Sequence, residues 1–333
     1  MRIIFLAVVF FNISIQAMVE ISIPHNGIDR SYLQYIPPNK NVNDPIDLFI
    51  GLHGYSGTAS GFEKETTGGF NTVAKKYGFM AIYPQGIYFY DNSSSSFVSS
   101  WNDLAGSKTK TPLGETCATD AAIYPKYPNC NSGGRCSWTS CNDDIGFIKK
   151  VIDATINNKN IRNIYVIGMS NGGMMAQALA CEYPELFKGA ANVVGMQHKD
   201  LSCIPDKPIN FIIYGGMKDT TVPPINIRAA DGYFYEPMNK TFNSWSENFH
   251  CSVFINEEYL FTDNFEQKTA SNCKGGITIT SILNKDRGHL WPGIDQSVGF
   301  CNTRDQSNLE INECRVIKNF WGNEFIVKLL LEL

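Results

Sequence analysis

The sequence is poor in histidine, lacks any Cys-x-x-Cys pair and carries no run of like charge, and each scarcity removes a class of function. Five histidines occur in 333 residues, and none lies between the closely spaced cysteines 130, 136 and 141. A zinc site needs thiolate and imidazole ligands at short, paired spacings, so none is expected, and the metal expectation is none. The formal charge is only -4. Without a basic stripe to meet phosphates, neither nucleic acid nor an anionic membrane is an expected partner. Beyond the amino-terminal apolar stretch, no segment is long and apolar enough to span a bilayer. The tail from Phe325 to Leu333 is short and interrupted by Lys328 and Glu332, so it reads as a final amphipathic or packing segment. No internal repeat is visible.

Residues 1–17 have the layout of a secretory signal. Arg2 supplies the positive start, Ile3 to Phe11 the apolar region and Ala17 a small residue for cleavage. The ten cysteines are Cys117, Cys130, Cys136, Cys141, Cys181, Cys203, Cys251, Cys273, Cys301 and Cys314. An even number behind such a signal predicts disulfides in an oxidising, extracellular or luminal compartment. Asn92 and Asn239 head glycosylation sequons and are expected to be exposed. Residues 18–333 are read as one catalytic domain.

Strands are expected at 19–24 and 31–36, joined by the hairpin signal Asn26-Gly27. The nearly continuous apolar run Ile46 to Leu52 predicts a buried central strand, ending at His53-Gly54-Tyr55-Ser56-Gly57. A helix is expected over 61–77 and a strand over 79–83. Residues 87–142 break the pattern and, with four cysteines, read as a disulfide-stapled surface insertion. Helices follow at 143–159, 171–183, 241–249 and 311–320, and strands at 161–167, 190–194, 209–214 and 277–283. Strands alternating with helices imply an α/β fold: a mainly parallel sheet with helices on both faces.

The segment Gly168-Met-Ser170-Asn-Gly172-Gly173 follows an apolar strand pattern and opens a helical one. That is the layout of a nucleophile elbow, in which a sharp turn lifts the serine out of the backbone. A serine hydroxyl needs a base, and the base needs an orienting acid, here in the chain order Ser, acid, His. His289 lies just past the last expected strand and is the best base. His250 sits in a helical pattern and reads as structural, and His198 as a surface loop residue. Asp219 follows the strand that ends in Gly215-Gly216, at the edge where Ser170 emerges. Asp206 should lie at the opposite edge, and Asp286 is a weaker alternative. The developing oxyanion needs amide donors, expected from the backbone N–H of Asn171 and of Tyr55, with Ser56 as fallback. His53 reads as a residue that stabilises this loop.

His53-Gly54, Ser99-Ser-Trp101-Asn102, Asp143-Asp-Ile-Gly-Phe147, Gly168-Met-Ser-Asn-Gly-Gly-Met-Met, Lys218-Asp219-Thr-Thr-Val-Pro and Gly288-His-Leu-Trp-Pro-Gly293 occur in this order. Together they resemble the secreted esterases that include poly(3-hydroxybutyrate) depolymerases, feruloyl esterases and acetylxylan esterases, over about residues 25–321. The resemblance implies an α/β-hydrolase fold, the triad Ser170, Asp219 and His289, and pairing of Cys181 with Cys203 and of Cys251 with Cys273. The cysteine-rich stretch 103–141 departs from that pattern.

The expected chemistry is ester hydrolysis through an acyl-enzyme, with no cofactor. The expected substrate is a small or oligomeric ester, with plant polysaccharide or polyester esters among the candidates. Trp101, Trp291, Tyr88 and Tyr90 are candidate substrate contacts, with Phe89 beside them. Two rival readings are a hydrolase fold retained as a binding module and a serine peptidase of the same fold.

Overall fold

A computed structural model describes residues 18–38, 40, 44–66, 69–105, 108–128, 130, 135–260, 263–294 and 321–333. The expected signal at 1–17, the expected helix at 311–320, Cys301 and Cys314 lie outside the described residues.

The strands are β1 (Val19–His25), β2 (Ile28–Tyr35), β3 (Ile46–Leu52), β4 (Met80–Pro84), β5 (Ile87–Asp91), β6 (Ser96–Ser100), β7 (Lys110–Thr111), β8 (Gly114–Glu115), β9 (Ile161–Met169), β10 (Gly189–Val193), β11 (Asn210–Gly216), β12 (Val253–Leu260), β13 (Asn264–Ser271) and β14 (Ile279–Asn284). The α-helices are α1 (Ala59–Glu65), α2 (Phe70–Tyr77), α3 (Asp144–Asn158), α4 (Asn171–Glu182), α5 (Met238–Asn248) and α6 (Trp321–Leu331). Ten strands form one sheet in the order β1-β2-β4-β3-β9-β10-β11-β14-β13-β12. The six strands from β4 to β14 run parallel, and an antiparallel hairpin closes each side.

Period-two alternation makes one core on each face. Leu48, Ile50, Val166, Phe211 and Ile213 point to one face, under α3, α4 and α5. Phe49, Tyr165, Ile167, Ile212 and Tyr214 point to the other, under α1, α2 and α6. Every residue of β3 and β11 is buried, which is why both read as continuous apolar runs. Asn26 and Gly27 have φ of 49° and 76°, the two positive values that a tight type I′ hairpin turn requires. Asp143 caps α3 by accepting from the Gly146 N–H at 2.9 Å.

Two expectations are corrected, and one element was not foreseen. The single helix at 61–77 is two helices: α1 ends at Glu65, the Gly69 N–H donates to the Thr66 carbonyl at 3.1 Å, and Gly69 takes φ 88° before α2. The β12–β13 hairpin was not anticipated. The stretch 87–142 is more than a surface insertion: Val98, Ser99, Ser100, Trp101, Tyr127, Trp138 and Ser140 are buried. Disulfides join Cys117 to Cys136 and Cys130 to Cys141 within this stretch. Cys181–Cys203 ties the end of α4 to the loop after β10, and Cys251–Cys273 ties the end of α5 to the end of β13.

Replacing Cys251 and Cys273 together by serine releases a closure of 22 residues. Chain-entropy arguments put the expected loss at about 3 kcal/mol. Thermal melting should show a drop of several degrees, and an unchanged midpoint would contradict that cost.

Candidate active site

Ser170 stands between the end of β9 and the start of α4, with φ 55° and ψ −123°. This conformation is costly for a residue with a Cβ, and the surrounding chain holds it there. The Ser170 N–H donates to the Val193 carbonyl at 2.8 Å, and its own carbonyl accepts from the Met174 N–H at 2.9 Å. A Cβ on Gly168 would collide with the Gly172 carbonyl, and one on Gly172 with the carbonyls of Leu52 and His53. Glycine at these two positions lets strand, helix and the end of β3 meet. Gly54 is drawn against the serine: a Cβ there would lie 3.3 Å from that of Ser170. The positive end of the α4 dipole faces this turn.

Asp219 lies on the turn after β11 and is 2% exposed. Its Oδ1 accepts from the N–H groups of Thr221 and Val222, both at 2.8 Å. Its Oδ2 is 2.7 Å from Nδ1 of His289. A carboxylate only accepts, so the proton of this bond is on Nδ1. His289 follows β14, and β9, β10, β11 and β14 are consecutive parallel neighbours. Ser170, Asp219 and His289 therefore all leave the carboxyl ends of strands, on one edge of the sheet. Asp206 precedes β11 and is exposed at the opposite edge. Asp286 is exposed and accepts from the Asn264 N–H at 2.7 Å.

The loop carrying His289 has an anchor that sequence reasoning missed. Arg287 makes an ion pair with Asp263 at 2.7 Å. Asn284 donates to Asp263 at 3.0 Å and to the Tyr214 hydroxyl at 2.9 Å, and its Oδ1 accepts from the N–H groups of Asp286 and Arg287. Burial pushes the Asp263 carboxyl up, but the hydrogen bonds from Arg287 and Asn284 outweigh it and hold it below its ordinary range. The Lys218 N–H donates to the Arg287 carbonyl at 2.9 Å, which joins the acid loop to the base loop. Arg287 beside the motif histidine was the available signal; Asp263 sits in the unanticipated hairpin and gave none.

His53 is 1% exposed and stabilises its loop, as expected. Its Nε2 accepts from the Gly86 N–H at 2.9 Å, so Nδ1 carries the proton and donates to the Gly54 carbonyl at 2.7 Å. The Ser56 N–H is committed to the Ser99 carbonyl at 2.8 Å, which removes the fallback donor and leaves the Tyr55 N–H. The Asn171 N–H is the first of α4 and has no intrahelical acceptor.

Two expected substrate contacts are corrected. Trp101 is 0% and Trp291 1% exposed. The indole of Trp101 donates to the His53 carbonyl at 2.8 Å, and Trp291 packs edge-on against Phe62 at 5.5 Å. Tyr88 and Tyr90 lie half-buried on the β5–β6 hairpin, where Tyr90 packs against Phe97. Tyr88 lines a cavity of about 620 Å³ with Gln85, Gly86 and Phe97. Asn92 and Asn239 are exposed. Among the described residues, no cluster of His, Cys, Asp or Glu is placed to hold a metal ion, and no helix is long and apolar enough to cross a membrane.

His198 is a further correction. It is 0% exposed, walled by Trp138, Tyr233 and Tyr235, and neither ring nitrogen has a hydrogen-bond partner among the described residues. Burial pushes its pKa down from 6.5 to about 4. The unfolded chain then binds a proton near pH 6.5 that the folded chain refuses until about pH 4. Stability from this group is complete above pH 6.5 and is lost as pH falls towards 4, by on the order of 3 kcal/mol. His198→Phe should narrow the gap between melting temperatures at pH 7.5 and pH 4.5; an unaltered gap would contradict this.

No family model matches the chain. Acetylxylan esterase A of Talaromyces purpureogenus is 27% identical over 169 residues, covering 49% of this chain and 34% of that protein. Feruloyl esterase B of Neurospora crassa is 27% identical over 165 residues, covering 48% and 42%. Poly(3-hydroxyalkanoate) depolymerase C of Paucimonas lemoignei is 25% identical, with 93% of this chain and 71% of that protein covered. The chain spans a third to a half of the length of the acetylxylan and feruloyl esterases that it matches. Among solved structures, the acetyl xylan esterase from Aspergillus awamori superposes with a TM-score of 0.54 at 17% identity, covering 82% of this chain and 95% of that one. A thermostable esterase superposes with a TM-score of 0.50 at 16% identity, covering 95% and 62%. The fold is that of the α/β-hydrolases.

Proposed function

We propose that this chain is a secreted serine hydrolase of carboxylic esters, working through Ser170, His289 and Asp219. The observation that carries the reading is the 2.7 Å bond between His289 Nδ1 and the buried Asp219, on the sheet edge where Ser170 is held in its strained turn. With Nδ1 committed to Asp219, Nε2 is the nitrogen that takes the Ser170 proton. The serine oxygen attacks the ester carbonyl, and the N–H groups of Tyr55 and Asn171 hold the resulting oxyanion. His289 returns its proton to the leaving alcohol. Water, deprotonated by the same nitrogen, then releases the acid from Ser170. Asp219, already bonded to two backbone N–H groups, orients the imidazole and stabilises its charged form.

The relatives named as acetylxylan esterase, feruloyl esterase and polyhydroxyalkanoate depolymerase support an ester of a plant polysaccharide or a hydroxyalkanoate as substrate. The four disulfides among the described residues support an oxidising compartment, and so export. Neither the intact Asp219–His289 pair nor the strained serine has a use in a passive binding module.

Ser170→Ala should lower turnover of p-nitrophenyl acetate by more than about four orders of magnitude, with the melting temperature unchanged. Persistent turnover in that variant would overturn the assignment. Methyl ferulate, acetylated xylan and hydroxybutyrate oligomers, offered in parallel to the unmodified protein, identify the acyl group that it prefers.

A further inference from the structure

Trp101 belongs to a segment, Ser99 to Asn102, that the proposed chemistry leaves unused. We infer that Trp101 is a positioning residue, clamping the two backbone amides of the oxyanion hole at a fixed separation through its bonds to His53 and to the Asn171 side chain. The inference rests on the hydrolase reading above.

Each polar group of Trp101 bonds to one of the two chain segments that carry those amides, and its carbonyl also accepts from the Ser100 hydroxyl at 3.4 Å. The indole N–H donates to the His53 carbonyl at 2.8 Å, two residues before Tyr55. The Trp101 backbone N–H donates to Asn171 Oδ1 at 2.7 Å, and Asn171 Nδ2 donates back to the Trp101 carbonyl at 3.2 Å. Asn171 is 0% exposed, so its side-chain amide holds the backbone and cannot reach a substrate. The Ser100 hydroxyl adds a contact to Asn171 Oδ1 at 3.1 Å. The same segment fastens the far side of the loop: the Ser99 carbonyl accepts from the Ser56 N–H at 2.8 Å, and the Ser99 hydroxyl donates to the Gly57 carbonyl at 2.5 Å.

The clamp is itself anchored. Asp144 Oδ2 accepts from the Asn102 N–H at 2.7 Å and from the Ser140 hydroxyl at 2.6 Å. Its Oδ1 pairs with Arg30 at 2.7 Å, and the Arg30 guanidinium lies 3.9 Å over the Phe147 ring. A buried tryptophan needs partners for its indole and backbone groups in any role; what is particular here is that those partners lie on the two segments that carry the amides. The segments carrying the two amides approach each other from β3 and β9, and a buried polar clamp between them removes the reorganisation otherwise needed when the oxyanion forms.

Trp101→Phe keeps an aromatic ring and deletes the bond to His53. Asn171→Ala deletes both bonds to the Trp101 backbone and keeps the residue 171 N–H. In each variant kcat on p-nitrophenyl acetate should fall roughly ten- to hundredfold, with KM within about twofold of wild type. The inhibition constant of an alkylboronic acid, which becomes tetrahedral on serine, should rise in step with the loss of kcat. A structural role alone would lower the melting temperature and leave the kcat and the boronate constant of the folded fraction untouched, and that result would overturn the clamp. A proportional rise in KM with kcat retained would overturn it too. If Asn171→Ala does not fold, Trp101→Phe decides. A wild-type protein that neither turns over the ester nor binds the boronate would instead overturn the hydrolase reading on which the clamp rests.

Discussion

The crossing of backbone at Gly172 is the constraint on which the rest of the site depends. Its Cα lies so close to the carbonyls of Leu52 and His53 that no side chain fits there. Two adjacent parallel strands, β3 and β9, therefore deliver their carboxyl ends to one point. From β3 comes the loop His53 to Gly57, and from β9 comes Ser170 in a conformation that a free chain avoids. The strain of that turn is outweighed by the packing around it: Met174, Met175 and Ala176 behind the serine are wholly buried, as are Val166 and Ile167 before it.

A second constraint is electrostatic. Asp219 is buried, and a buried carboxylate persists only when its lone pairs are met by donors. Two backbone N–H groups and the His289 imidazole meet them, so the acid is fixed before any substrate arrives. The His289 loop is held independently by Arg287 on Asp263 and by Asn284. Removing Arg287 would leave the buried Asp263 carboxylate without its charged partner, which costs more than the pair itself contributes. Side chains far from the serine thus fix where the imidazole sits.

Much of this was legible in the sequence, for identifiable reasons. Ile46 to Leu52 and Ile164 to Ile167 are nearly continuous apolar runs because these stretches of their strands are covered on both faces. Gly168 and Gly172 flank the serine because no other residue fits their contacts. Asp219 and His289 follow strand ends that the apolar runs already marked. The β12–β13 hairpin was hidden because Asn256-Glu-Glu258 and Glu266-Gln-Lys268 are polar on both faces of an edge, so no alternation betrays them. Trp101 was misread because an aromatic residue serves equally in a rim and in a core, and only the fate of its polar groups separates the two. His198 was misread for a related reason: nothing in its neighbours announces that Trp138, Tyr233 and Tyr235 close around it.

Ester hydrolysis at this site requires that the Ser170 oxygen, the His289 imidazole and the amides of Tyr55 and Asn171 converge on one reacting carbon. The most direct measurement is a crystal structure of the protein after reaction with a p-nitrophenyl phosphonate. The phosphorus should be bonded to Ser170 Oγ, with the phosphoryl oxygen about 2.7–3.1 Å from both amide nitrogens. An unmodified Ser170, or an adduct whose phosphoryl oxygen points away from Tyr55 and Asn171, would contradict the account.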